Sequence, residues 1–247
     1  SVILNGDDDL LSTLEQVQGR PPIFYGIDTK KPETAVYGNK SIYATDIINL
    51  GLKGIQLKIH IADECFIARI PIPGTHNVYN ALAATAVGKQ LGLTNEEIRA
   101  GIETARTIDG RTNLIETGTM TVIDDCYNAN PLSMKASIDV LATALGRTVA
   151  VLGDMGDLGE NERELHYEVG IHVAEKGIDI LFCAGTLVYE LARAVQEHNS
   201  SCEVHTFATR DEMLKELLPF LRQGDSVLVK ASHFMEFSEV VEEIITM

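Results

Sequence analysis

The sequence predicts an α/β fold, on three observations. From Arg111 onward, strand-like runs at 112–116, 119–124, 147–152, 178–183, 203–207 and 225–230 alternate with helix-like runs at 131–145, 160–176, 187–198, 210–222 and 234–245. Repeated βα units imply a mostly parallel sheet covered by helices on both faces, a Rossmann-like unit. Before that point residues 34–71 read as β structure, and two helices follow. The polar connection 107–110 therefore divides the chain into domains at 1–108 and 109–247.

In the first part, Val2-Ile3-Leu4 is a short buried-strand signal, followed by Asn5-Gly6-Asp7-Asp8 and a helix-like Leu10, Leu11 and Leu14. A second strand, Ile23-Phe24-Tyr25, comes after the break at Arg20-Pro21-Pro22. Ile55, Leu57, Ile59 and Ile61 alternate with polar residues, and residues 66–70 answer them as a hairpin partner. Pro71, Pro73 and Gly74 end the β region, and an alanine-rich helix runs from Asn77 to Leu91. Thr94-Asn95-Glu96-Glu97 is a capping box that opens the next helix.

Composition narrows the function classes. At 247 residues the chain can bury one large core or two modest ones. No apolar run approaches a membrane span, and no basic-then-apolar leader opens the sequence. Cysteines 65, 126, 183 and 202 are far apart, with no zinc-like spacing, which implies a reduced, cytoplasmic protein and no metal site in these residues. A formal charge of -16 argues against a nucleic-acid partner, while leaving room for a small anion held by local amides, Lys and Arg.

The densest chemical signal is Asp124-Asp125-Cys126-Tyr127-Asn128-Ala129-Asn130-Pro131, between a β-branched strand and a helix with Met134, Ile138, Leu141 and Leu145 on its apolar face. Asn130 can cap that helix and Pro131 suits its first turn. The mouth of a strand-to-helix turn is where α/β proteins bind ligands. Capping alone explains Asn130; two adjacent carboxylates need a cation or hydrogen-bond donors to meet them.

Four further places hold candidate groups. His76, Asn77 and Asn80 share one side of a helix's first turn, and side-chain amides suit a purine edge, although an N-cap and a packing helix would look the same. Gly110-Arg111 places a guanidinium at the domain junction, suited to phosphate or simply exposed in a linker. Leu152-Gly153-Asp154-Met155-Gly156-Asp157-Leu158-Gly159-Glu160 is spaced GxxGxxG, and its acids oppose a pyrophosphate, so it favours a cationic or amine-bearing group over a nicotinamide dinucleotide. His166 follows on the next helix. Lys230 and Ser232 are delivered by a strand to a helix N-terminus, a favourable anion site, although a plain N-cap and a solvated charge would look the same; Phe234, Phe237, Val240, Val241 and Ile244 form the apolar face behind it.

In this order, Asn5-Gly6-Asp7-Asp8, Gly74-Thr75-His76-Asn77-Val78-Tyr79-Asn80, Gly110-Arg111, the 123–131 turn, the 152–160 loop and Val229-Lys230-Ala231-Ser232 resemble the Mur ligase family over nearly the whole chain. The Asp-Asp-x-Tyr-Asn-Ala-Asn-Pro turn resembles the type that joins D-alanyl-D-alanine to UDP-N-acetylmuramoyl-tripeptide, using ATP and Mg2+. The resemblance implies the back half of the central ATPase domain followed by the Rossmann-like C-terminal domain. It implies adenine contacts from His76, Asn77 and Asn80, phosphate contact from Arg111, and ribose contact from Asp125. It also implies substrate contacts from Tyr127, Asn128, Asn130, Asp154, His166 and Ser232, with Arg111 and Lys230 catalytic. Ala231 and His233 stand where the family usually carries Gly and Arg. No GxxxxGK[ST] phosphate loop occurs in these residues. The family places that loop, with the magnesium ligands, upstream of the matching segment, so the expectation is a ligase fragment inactive alone. Exposed edges of an incomplete central sheet would favour self-association. The alternatives are a free-standing nucleotide-binding or regulatory module, or another Mur-type or folylpolyglutamate-type ligase.

Overall fold

Two sheets, one in each of two units (Ser1–Arg106 and Thr107–Met247), organise the computed structural model, which describes residues 1–27, 42–199 and 201–247. The 34–41 stretch of the expected β region lies outside the described residues.

The first sheet has the order β1 (Ile3–Asn5), β2 (Ile23–Ile27), β3 (Ile42–Asn49), β4 (Ile55–Ile61), β5 (Glu64–Ile70). The first three strands run parallel. β3, β4 and β5 are antiparallel, and the expected β4–β5 hairpin pairs Ile55 with Ile70. Period-2 alternation sends Ile55, Leu57 and Ile59 inward, where Val78 and Leu82 of α1 (His76–Gln90) and Ile98 and Ile102 of α2 (Asn95–Glu103) complete the core. The capping box forms: the Thr94 hydroxyl accepts from the Glu97 amide, and the Glu97 carboxylate accepts from the Thr94 amide at 2.8 Å.

The helix expected at 10–14 is only a 3-10 turn, Leu11–Thr13. The Asp8 carboxylate takes the amides of Leu10 and Leu11, a local turn that competes with helix, and Leu10 is exposed.

The second sheet runs β10 (Glu203–Phe207), β9 (Ile180–Ala184), β8 (Thr148–Gly153), β11 (Ser226–Lys230), β7 (Thr121–Asp124), β6 (Asn113–Glu116). All pairs are parallel except β6 with β7. α3 (Pro131–Leu141), α4 (Glu162–Glu175) and α5 (Val188–His198) pack in sequence along one side. Met213 and Leu217 of α6 (Arg210–Phe220) join Val240, Val241 and Ile244 of α7 (Ser238–Ile245) in the main core. β8, β9 and β11 are buried along their whole length, which is why they read as continuous apolar runs. No helix among the described residues is long and apolar enough to cross a membrane.

Two helix boundaries differ from expectation. α3 stops at Leu141, after which Thr143 and Ala144 tighten onto Val140 and Leu141, and Gly146 turns left-handed at φ 86°. Leu145, expected on the apolar face, is thereby 90% exposed. At the C-terminus, residues 233–235 form a 3-10 turn that Glu236 ends at φ 55°, and the helix begins only at Ser238. Phe234 is consequently 65% exposed, while Phe237 takes the buried place.

Candidate functional site

β7, β11 and β8 are neighbours, with Asp124 paired to Val229 and Lys230 to Leu152. Their carboxyl ends therefore lie side by side. The turns that follow, at 125–130, 231–237 and 154–161, open at that one end of the sheet, where open α/β sheets bind ligands. Three motifs far apart in sequence meet there.

The adjacent carboxylates are both met. Asp124 accepts from the Gly110 amide at 2.8 Å and from the Cys126 thiol at 2.9 Å. Asp125 accepts from the Thr112 amide at 2.9 Å, the Ser137 hydroxyl and the Lys230 ammonium at 2.6 Å. Lys230 is only 2% exposed and also donates to the carbonyls of Asn128 (2.9 Å) and Asp125 (3.3 Å), so its three protons have three acceptors. Burial lowers its pKa from the ordinary lysine value, and the Asp125 charge opposes that shift. Burial, then the hydrogen bond to Asp124, pushes the Cys126 thiol up to about 12.

This network also fixes the 110–112 segment. Gly110 and Thr112 give their amides to the two aspartates, and Gly110 accepts from the Tyr127 amide at 3.1 Å. Gly110 is left-handed at φ 76°, and a Cβ there would stand 3.2 Å from the Tyr127 backbone nitrogen. Arg111, between two pinned amides, carries its guanidinium 4.1 Å from the centre of the Tyr127 ring. The His233 ring lies 5.9 Å from the same ring, tilted by 40°. Arg111, Tyr127, Asn128 and His233 are all exposed.

Several of the expected ligand contacts have partners within the chain. Ser232 does not cap a helix: its hydroxyl accepts from the Gly156 amide at 2.8 Å and donates to the Ala129 carbonyl at 3.3 Å, stitching two of the turns together. Asp154 is engaged within the chain. Its carboxylate accepts from the amides of Thr186, Leu187 and Val188 and the Thr186 hydroxyl, holding the start of α5. His166 is fully buried; Nδ1 donates to the Glu162 carbonyl at 2.6 Å and Nε2 accepts from the Met155 amide at 2.9 Å. No ring nitrogen is left for a ligand, and that network assigns the neutral tautomer. Lys230 is buried and is not a solvated charge. Asn130 caps α3, its side chain accepting from the Ser133 amide at 2.8 Å. Ala231 is buried against Gly153, where an added Cβ would come within 2.6 Å of it.

Ser137 and Thr112 escaped the sequence reading. Ser137 had a signal: it sits within the apolar stripe of Met134, Ile138 and Leu141, where a polar residue needs a buried partner. Thr112 contributes only its backbone amide, which no residue type announces.

In the first unit the Asn77 side-chain amide donates to the Pro73 carbonyl at 2.8 Å, and its oxygen accepts from the Asn80 amide at 2.9 Å. The His76 ring nitrogen lies 3.2 Å from the Asn77 amide nitrogen. Asn77 and Asn80 line an apolar pocket of ≈ 350 Å³ between α1 and α2, walled by Ile70, Ile72, Ile98 and Ile102. An apolar slot of that size with two amides suits a planar heteroaromatic base. Among the described residues no group of three or more His, Cys, Asp or Glu is placed to hold a metal ion.

Residues 1–88 match the family described as the Mur ligase middle domain, and residues 110–233 match the Mur ligase, glutamate ligase domain. The chain belongs to the Mur ligase family. Among its curated relatives is the UDP-N-acetylmuramoyl-tripeptide--D-alanyl-D-alanine ligase of Bacillus subtilis, 30% identical over 92% of this chain and 50% of that protein. The enzyme of the same name from Treponema pallidum is 37% identical over 79% of this chain and 43% of its own length. A crystal structure of MurF from Acinetobacter baumannii superposes with a TM-score of 0.84 at 29% identity, covering 99% of this chain and 52% of that one. The chain spans about half the length of the curated relatives it matches. In Mur ligase terms the converging turns belong to the glutamate ligase domain, and the α1–α2 pocket is lined from both inside and beyond the middle-domain match.

Proposed function

We propose that this chain serves an ATP-dependent ligase that joins D-alanyl-D-alanine to UDP-N-acetylmuramoyl-tripeptide, the activity named for its relatives. The observation that carries the reading is the 124–131 turn. Its two carboxylates are held by Lys230, Ser137 and backbone amides, and its Tyr127 and Asn128 are exposed beside Arg111.

In this reaction the tripeptide carboxylate attacks the γ-phosphorus of ATP, ADP leaves, and an acyl phosphate forms. The amine of D-alanyl-D-alanine then attacks the acyl carbon, and inorganic phosphate departs with the bonding pair while the amine gives up its proton. Such chemistry depends on positioning and on neutralising phosphate charge. The α1–α2 pocket would take the adenine, with Asn77 and Asn80 at its edge and His76 beside them. Arg111 would meet phosphate; Tyr127 and Asn128 would face the acceptor. Asp125, Asn130, Asp154, His166, Lys230 and Ser232 would act by holding those groups in place. A ribose hydroxyl could still donate to Asp125 only by sharing an oxygen already bonded. Mg2+ would be held by residues outside this chain's described set, together with the phosphate loop that these residues lack.

The test is phosphate release from Mg-ATP, UDP-muramoyl-tripeptide and D-alanyl-D-alanine. A full-length ligase carrying these residues should release phosphate, and Arg111→Ala should cut the rate by roughly 100-fold or more. The 247-residue chain alone should release none; robust turnover by it would sink the requirement for an upstream phosphate loop. Among the described residues β1 is an edge strand, whose unpaired backbone would favour self-association of the chain, read by gel filtration as an apparent mass above 27.0 kDa.

A further inference from the structure

Most arginines of the second unit pair with a carboxylate; among the described residues Arg111, over Tyr127, and Arg222, over Phe220, do not. Arg147, Arg163, Arg193 and Arg210 each pair with a carboxylate, as do His172 and His205. Arg111 and His233 pair with none among the described residues, in a chain of formal charge -16 where acids are plentiful. The carboxylates nearest in sequence to Tyr127, Asp124 and Asp125, are already engaged by the amides of Gly110 and Thr112, the Cys126 thiol, Ser137 and Lys230. Asn128 adds a third donor. Its side-chain oxygen accepts from the Ala129 amide at 2.8 Å, and its side-chain nitrogen makes no hydrogen bond among the described residues.

A guanidinium and an imidazole against one phenol ring, a primary amide on the next residue, and the adjacent Asp124 and Asp125 engaged elsewhere form a seat for an oxyanion, with the exposed Asp109 as the remaining acid close in sequence. Preorganisation strengthens the case. The backbone on both sides of Arg111 is pinned, and ring contacts restrain the guanidinium and the imidazole, so little conformational freedom remains to be lost on binding.

We propose that Arg111, Asn128 and His233 together bind one oxyanion of the reactants, and that His233 is a substrate-contacting residue. The anion is a carboxylate or a phosphoryl group; the identity of its source rests on the ligase reading, but the seat does not. The C-terminal carboxylate of the incoming dipeptide and a phosphate oxygen are the two sources that reading supplies.

The experiment is NMR of the 247-residue chain with labelled histidine, the His233 signal assigned by its loss in His233→Gln. The probes are D-alanyl-D-alanine, D-alanyl-D-alaninamide and inorganic phosphate. Movement of the His233 signal with the dipeptide, but not with its amide, supports the seat and assigns a carboxylate. Movement with phosphate alone supports it and assigns a phosphoryl group. His233→Gln should weaken binding of the effective probe roughly tenfold, and His233→Arg should retain it within about twofold. His233 is exposed, so both variants should melt as the parent does. A His233 signal that none of the probes moves, or His233→Gln binding as tightly as the parent, overturns the proposal. A full-length His233→Gln ligase with parental KM for D-alanyl-D-alanine and for ATP overturns it too, and leaves the ligase reading standing. A parent with no ligase activity removes that reading, while the titration still decides the seat.

Discussion

At the start of α1, His76, Asn77 and Asn80 satisfy one another and one backbone carbonyl, beside an open apolar pocket. At the mouth of the second sheet, comparable polar groups are buried, charged and tied to segments more than a hundred residues apart, as Lys230 is to Asp125. In the first place His76 and Asn80 are exposed and only Asn77 is buried, so the loss of Asn80 strands no charge. In the second, the loss of Lys230 strands a charge in a dry interior. Burial thus separates the charged frame of the second sheet from its exposed neighbours where residue type does not.

The sharpest way to break this contrast is Lys230→Met. It leaves Asp125 buried without its cation and should cost about 3–5 kcal/mol in the second unit, measured by urea denaturation. Adding Asp125→Asn should recover part of that loss; no recovery would mean that packing, and not charge, is what Lys230 supplies. Asp154→Ala, which removes the acceptor for three amides at the start of α5, should cost about 1–2 kcal/mol by the same measurement. A pH effect comes next. The thiols of Cys126 and Cys202 are pushed up to about 12, and that of Cys183 well above its ordinary value, chiefly by burial. Above about 8.5 an unfolded thiol releases its proton while these keep theirs, so stability should fall by about 1 kcal/mol per thiol for each pH unit beyond that point. In the native protein at pH 8 only the exposed Cys65 should react with a thiol reagent, against four cysteines after denaturation. Asn80→Ala should be the mildest, within about 0.5 kcal/mol in stability, and should instead weaken nucleotide binding to the full-length ligase. A large stability loss there would erase the contrast between the two places.

Much of the frame was legible in the sequence because its signals are local. The 55–61 and 64–70 hairpin alternates with period 2, Thr94 to Glu97 spells a capping box, and Asn130-Pro131 marks the start of α3. The central strands β8, β9 and β11 announce themselves as apolar runs. The failures are non-local. Asp154 reads as an acid in a loop until β9 brings the 186–188 amides to it. Ser232 reads as a cap until the turn at Ala129 arrives. Lys230 reads as a surface charge because nothing within five residues shows that Asp125 and Asn128 will enclose it. Phe234 was assigned to the core by helical spacing, which a left-handed Glu236 interrupts. The Mur ligase resemblance names Asp154, Lys230 and Ser232 together, yet says nothing of which face outward.

The strand order carries a consequence for biogenesis. β11 is the last strand of the second sheet to be synthesised, yet it lies between β8 and β7. Until residues 226–230 have left the ribosome, the sheet exists only as two separate halves, β10-β9-β8 and β7-β6, each with an unpaired edge toward the gap. Insertion of the final strand closes the sheet and, in the same step, delivers Lys230 to Asp125. Non-local pairing of this kind is slow and leaves edges exposed in the meantime. Stalled or prematurely terminated chains of this unit would therefore lack the middle of the sheet instead of its rim, making them natural clients for chaperones and proteases.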